Sequence, residues 1–200
     1  MSDLVLASGS PRRAALLQQL GLSFLVVIPD VDESRFPGEC AAEYVGRMSR
    51  SKFEYVLSAA KPSLDDQKVI ICADTVVVLD DEVLGKPLNR EDGMEMLLRL
   101  SGRSHFVLTD VTIGKKNEPT STFCVETKVK FRKLTLEERQ DYWDSGEPQD
   151  KAGGYGIQGL GAVFVEEISG SYSSVVGLPL METSRALFAF GIRIFRRPSE

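Results

Sequence analysis

The segment Ser8-Gly9-Ser10-Pro11-Arg12-Arg13 puts two arginines directly behind a serine-proline helix start. A helix N-terminus carries free N–H groups and partial positive charge, so acidic side chains suit its first turn and arginines do not. An anion among them removes the conflict. The small residues let backbone amides of Ser8 to Ser10 approach it, and a polyphosphate fits such a cradle. Two solvated surface arginines are the competing reading, because short Gly/Ser loops are common.

Lys52 is equally out of place. At 3.6 residues per turn, Ala41, Val45, Met48, Tyr55, Val56 and Ala59 share one stripe of a helix, and Lys52 falls in its middle. A lysine there either snorkels to an edge or meets a negative partner. Asp74 interrupts VIICADTVVVL, a run apolar enough to cross the centre of a sheet. At a strand end it could cap a turn through Thr75, but an isolated buried carboxylate calls for a metal, a cation or a proton nearby. Strand ends in α/β sheets are also where ligands bind, which favours a functional carboxylate.

The fourth such stretch is DKAGGYGIQGLG, from Asp150 to Gly161 and containing Gln158. Its glycines suit close backbone approach to a ligand. A mobile loop is the alternative, against which Tyr155, Ile157 and Leu160 argue for order. Three features are weaker. Asp32-Glu33 offers carboxylates to a hard cation, although acidic pairs in loops usually face water. Gly85-Lys86-Pro87 reads first as a turn with an exposed lysine. His105 reads as a strand surface residue.

Hydrophobic periodicity supplies the elements that must position these residues. A buried strand over 4–7 leads into a helix opened by Pro11, capped by Ser10 and ended by Gly21. A strand follows over 24–28, then a helix over 41–60. Segments 69–73 and 75–79 are strand-like and interrupted only by Asp74. Asn89 caps a helix that runs to Leu100, and 104–113 with 121–132 form a hairpin. Thr135 and Glu138 make a capping box. A strand over 162–168 and a helix from Pro179 toward Phe190 complete the chain. The pattern is α/β, with a mixed twisted sheet and flanking helices. A length of 200 residues favours one domain, with room for two lobes around a cleft.

Composition excludes several functions. A net charge of −5 argues against coating nucleic acid, though it leaves room for a local basic pocket. The three cysteines lack zinc-ligand spacing, Cys72 reads as a buried core thiol, and the set suits a reducing cytoplasm. The sequence shows neither a signal-peptide pattern nor an apolar stretch of membrane-spanning length, so a soluble intracellular protein is expected.

LASGSPRR, ADTVV followed by LGKP, LSGR before a strand, and GEPQDKAGGYGIQGLG with VVGLPL occur in this order along nearly the whole chain. Together they resemble the Maf family, first described as septum-formation inhibitors and now seen as nucleoside triphosphate pyrophosphatases. The resemblance implies an ITPase-like α/β fold with a deep cleft between two lobes, often dimeric, acting on nucleotides with Mg²⁺ or Mn²⁺. It also implies that Asp74 is the proton acceptor. Glu33, Lys52 and Lys86 match further polar positions of the family's active site, and Arg12, Thr75 and Gln158 match its specificity positions. DKAGGYGIQG looks like the branch that prefers dTTP and UTP. A related branch prefers 7-methyl-GTP and carries a glutamate in place of Gln158.

Hydrolysis between the α- and β-phosphates needs an attacking water and dispersal of negative charge. The expected division of labour has Asp74 deprotonating the water and Glu33 joining Asp74 on the metal. Arg12, Arg13, Lys52 and Lys86 surround the triphosphate. Two other readings stay open at this point. One is a pyrophosphatase for a purine nucleotide such as 7-methyl-GTP or ITP, and the other is a non-enzymatic nucleotide-binding regulator of cell division.

Overall fold

The computed structural model describes residues 3–58 and 67–195. β1 (Leu4–Ala7) is buried at every position, as its unbroken apolar run requires of a strand covered on both faces. It pairs in parallel with β2 (Leu25–Val27) on one side and with β3 (Val69–Leu79) on the other. Between β1 and β2 lies α1 (Pro11–Gln19). Ser10 caps it by accepting the Arg13 amide, and Pro11, which has no amide proton to leave unpaired, opens it.

From β3 onward the sheet is antiparallel. β4 (Glu82–Leu84) folds back on the end of β3, and β5 (Ser104–Gly114) runs beside nearly its whole length. β6 (Ser121–Phe131) pairs with β5, and β7 (Val165–Ser169) with β6. Among the described residues the seven strands form one sheet in the order β2-β1-β3-β5-β6-β7, with β4 against β3. This is the mixed α/β sheet the sequence predicts.

One detail of the register positions everything that follows. β1 accompanies β3 only as far as Cys72, and β4 joins it only from Val77. Across residues 73–76, β3 therefore has a strand on its β5 side alone. The sheet splits there, and Asp74 and Thr75 border the split. Because side chains alternate along a strand, the two point to opposite faces.

The register also corrects the expected location of Asp74. It lies mid-strand rather than at a strand end, and the strand that ends at this level is the neighbouring β1. The interruption is chemical and leaves the backbone ladder to β5 unbroken, with Asp74 opposite Asp110.

α2 (Ala41–Ser58) covers one face of β3 and β5, burying Val45, Met48, Lys52, Phe53 and Val56. Ala59 and the expected end of this helix lie outside the described residues. Val5, Ala7, Ile70 and Cys72 face α2, whereas Leu4, Leu6, Ile71 and Ala73 join the main core with Leu16 and Leu17 of α1. That core also takes Leu187 from α6 (Leu180–Ala189). α3 (Arg90–Leu100) starts at an Asn89 cap, and α4 (Leu136–Asp144) has the expected capping box from Thr135 and Glu138. A short α5 (Tyr172–Val176) precedes α6. Among the described residues no helix is long and apolar enough to cross a membrane.

Two local expectations fail. The strand expected over 162–168 begins only at Val165, because residues Leu160–Phe164 curl into a 3₁₀ turn. The Leu160 and Gly161 amides turn inward to the Glu147 carboxylate instead of joining a ladder. His105 is not at the surface but is 1% exposed. Its ring packs edge-on against Phe131 and Tyr155, and Nε2 lies 2.9 Å from the Tyr155 hydroxyl.

Burial pushes the His105 imidazole down to about 4, so it is neutral in the fold. Between an unfolded value of 6.5 and that folded value, the folded chain binds fewer protons. Stability is therefore lost as pH falls through this window. This is the chain's one histidine. Relative to His105→Gln, the wild type should lose up to about 1.4 kcal/mol per pH unit there. Urea unfolding of both proteins from pH 7 to pH 5 measures the difference, and parallel profiles would show that the imidazole is not held neutral.

Candidate functional site

A cleft of about 940 Å³ opens at the split in the sheet. The β1–α1 connection brings Ser8, Ser10, Arg12 and Arg13 to it, and the β2–α2 connection brings Glu33. Lys52 enters from α2, Asp74 and Thr75 from β3, Lys86 from the turn after β4, and Gln158 from the glycine-rich segment. These ten residues share one cavity, whereas Asp32 of the acidic pair does not line it and accepts the Ser34 amide at 2.9 Å.

Lys52 does not snorkel. Its ammonium lies 2.6 Å from Asp74 Oδ1 and 2.8 Å from Glu33 Oε1. The Asp74 side chain is 13% exposed and that of Glu33 51%. Tyr44 fixes the Glu33 backbone by donating its hydroxyl to the carbonyl at 2.8 Å. Burial works to raise the Glu33 carboxyl, but Lys52, Lys86 and Arg13 outweigh it and hold the group below the usual carboxylate range.

The apolar stripe alone predicts that Lys52→Met keeps or raises stability, since a methionine completes it. The ion pairs reverse that expectation for the cation-free protein, because two carboxylates lose their shared counter-charge. The loss should be about 1–3 kcal/mol, less than for a fully buried pair because Glu33 is half exposed. Thermal unfolding in EDTA reads it. An unchanged or higher Tm would mean that the added packing outweighs the lost pairs.

Arg13 is held by neutral groups only. Nε donates to the Gly177 carbonyl at 2.8 Å, Nη1 to Ser8 Oγ at 3.2 Å, and Nη2 to Thr75 Oγ1 at 3.0 Å. Among the described residues it forms no ion pair with a carboxylate. Burial lowers its pKa and Asp74 opposes that shift, yet a guanidinium stays charged in proteins. The result is a fixed cation in the cleft with N–H groups to spare.

Thr75 has its hydroxyl proton and one lone pair engaged in this arrangement. Thr109 donates to the Ser174 carbonyl at 2.8 Å, so the 3.0 Å contact between the two threonines uses the Thr75 proton. Thr75 thereby helps hold Arg13 at the cleft that Thr75 itself lines. The expected amide cradle is also narrower than the sequence suggests, because the Ser10 amide is occupied by Ser8 Oγ at 3.1 Å.

Arg12 meets Asp150 at 3.3 Å, with the two side chains 30% and 65% exposed. An exposed pair of this kind holds weakly and yields readily to a stronger anion. Lys86 is exposed and has no ion-pair partner among the described residues. The sequence reading missed Thr109 and Tyr44. A threonine and a tyrosine in otherwise ordinary element patterns carry no signal of their own.

Asp74 and Glu33 converge on one ammonium, so both can reach one hard cation. Carboxylate oxygens are the donors that Mg²⁺ and Mn²⁺ prefer. Among the described residues no group of three or more His, Cys, Asp or Glu side chains could hold a metal ion. Two protein carboxylates completed by substrate phosphates and water is the usual arrangement for Mg²⁺ at a nucleotide, and this donor set fits it.

The family model described as Maf-like protein matches residues 3–190. The chain belongs to the Maf family. A dTTP/UTP pyrophosphatase of Vibrio vulnificus strain YJ016 is 52% identical over 190 residues, which is 95% of this chain and 100% of that protein. One from Hahella chejuensis is 49% identical over 194 residues, covering 96% and 94% of the two chains. Among solved structures, a HAM1 protein from Coxiella burnetii aligns over 94% of this chain and 100% of its own, with a TM-score of 0.49 and 16% identity. Of the Maf-like segments of this chain, LASGSPRR, ADTVV, LGKP, DKAGGYGIQG and VVGLPL each contribute residues to the cleft lining, whereas LSGR does not.

Proposed function

We propose that this Maf protein hydrolyses dTTP and UTP to the nucleoside monophosphate and pyrophosphate. One juxtaposition carries the reading. In a single cleft, the Arg13 cation with only neutral partners stands beside two carboxylates that meet on one ammonium. That is a place for a polyanion next to a place for a base. The relatives named above are pyrophosphatases for the same two nucleotides.

Asp74 accepts the proton of the attacking water. Lys52 orients it through Oδ1, while Oδ2 carries no hydrogen bond among the described residues and is open to the water. Arg12, Arg13 and Lys86 take up negative charge on the triphosphate and on the leaving pyrophosphate. A divalent cation, Mg²⁺ or Mn²⁺, would be held by Asp74 and Glu33 and supplies further charge neutralisation on the phosphates when bound. Gln158 meets the pyrimidine edge. The chain works as one domain over 1–200, in the cytoplasm where nucleotides are metabolised. It acts without nucleic acid or membrane, and a homodimer accords with the family resemblance.

A purine pyrophosphatase is disfavoured by the amide at position 158. A non-enzymatic regulator has no use for an open carboxylate beside an anion site. Protein stripped of metal with EDTA and supplied with UTP separates these classes. Release of pyrophosphate on adding Mg²⁺ or Mn²⁺ is expected, and UTP binding with no release under either cation would make the protein a binder.

A further inference from the structure

Gln158 can select a base only if its backbone is fixed, because the residue is exposed and its side chain has no hydrogen bond among the described residues. Two side chains from earlier in the sequence hold the backbone on either side of it. Tyr142 of α4 accepts the Gly156 amide at 2.9 Å and donates its hydroxyl to Glu147 Oε1 at 2.8 Å. Glu147 accepts the Leu160 amide on Oε2 at 2.8 Å and the Gly161 amide on Oε1 at 3.1 Å. Within the turn, the Gly159 amide donates to the Gly156 carbonyl at 3.3 Å. Gln158 thus stands on an arch with both feet pinned by one Tyr–Glu pair.

The glycines of the arch are fitted to that pair. A Cβ at Gly159 would lie 2.1 Å from Glu147 Oε2, and one at Gly161 would lie 2.7 Å from the Tyr142 hydroxyl. At Gly156 it would lie 2.8 Å from Lys151 Cε and 3.0 Å from Glu147 Oε1. None of the three has a positive φ, so the space taken by the pair beneath the loop requires them. Tyr142 is itself buried, edge-on to Phe164 at a centroid distance of 4.8 Å. Burial works to raise the Glu147 carboxyl, but the Gly161 and Leu160 amides and the Tyr142 hydroxyl outweigh it and keep the group ionised.

We propose that Tyr142 and Glu147 are positioning residues for base selection, clamping residues 156–161 so that Gln158 is presented to the pyrimidine at a fixed height in the cleft. The inference rests on the reading of Gln158 as the group that meets the base.

Steady-state kinetics with UTP and GTP test it in Tyr142→Phe, Glu147→Gln, Gln158→Ala and the double variant Tyr142→Phe/Gln158→Ala. Tyr142→Phe keeps the ring and its packing while removing both hydrogen bonds. It should raise KM for UTP about tenfold and lower the UTP-over-GTP ratio of kcat/KM about tenfold, with kcat for UTP within about threefold of wild type. Glu147→Gln should move in the same direction, since its NH₂ group faces donors. The double variant should be no less selective than Gln158→Ala alone, because the clamp acts through Gln158. If Gln158→Ala loses selectivity while Tyr142→Phe keeps the wild-type ratio, or loses kcat equally for both nucleotides, the clamp is overturned and base reading stands. A Gln158→Ala protein with the wild-type ratio overturns base reading itself, and the clamp with it. Tyr142→Phe decides alone if Glu147→Gln fails to fold.

Discussion

Asp74→Asn lowers kcat for UTP by at least about a hundredfold, the usual scale for losing a general base, and leaves the protein folded. Asparagine keeps the size of the side chain, and its amide oxygen still accepts from the Lys52 ammonium that now holds Oδ1 at 2.6 Å. Glu33 remains as the charged partner of Lys52 at 2.8 Å, so no buried cation is stranded. What disappears is the open carboxylate oxygen and one of two charges available to a divalent cation. Steady-state rates beside a thermal unfolding curve separate lost chemistry from a lost fold. Activity near that of the wild type would remove Asp74 from the role of base.

Replacing Gln158 by glutamate shifts the ratio of kcat/KM for UTP over GTP toward guanine by about tenfold or more. A uracil or thymine edge presents an N3–H donor flanked by carbonyl acceptors. A glutamine amide has an acceptor and donors side by side and can pair with that edge through two bonds. Guanine presents two donors, N1–H and the 2-amino group, which a carboxylate accepts and an amide matches only in part. The wild type should therefore prefer dTTP and UTP, take CTP less well and purines least. Cytosine is excluded less firmly because the amide can flip to suit its reversed edge. Rates for UTP, CTP and GTP in both proteins give the answer. An unchanged ratio in the Gln158→Glu protein would show that position 158 does not read the base.

The residues that violate local rules were legible without coordinates. An arginine pair in a helix's first turn, a lysine in an apolar stripe and an aspartate in an apolar strand each conflict with their surroundings, and all face one cleft. The long elements were legible because burial imposes period 2 or 3.6 on them. β4 and α5, at three and five residues, are too short to show a period. Tertiary partners decided what the sequence could not show. His105 is interior because Phe131 and Tyr155 close over it. The glycines at 156, 159 and 161 read as backbone approach to a ligand, yet the space beside them is filled by the protein's own Glu147, Tyr142 and Lys151. The split in the sheet has no local signal, since it depends on where β1 stops and β4 begins on opposite halves of β3.

The central claim is the bond that is cut, and the products released from UTP by purified protein with Mg²⁺ or Mn²⁺ test it most directly. Separation of nucleotides alongside assays for pyrophosphate and phosphate gives both halves of the reaction. The account predicts UMP and pyrophosphate in equal amounts, from UTP and dTTP before other triphosphates, and none from the Asp74→Asn protein above its residual rate. UDP with inorganic phosphate, or no product from either pyrimidine nucleotide with either cation, would contradict it.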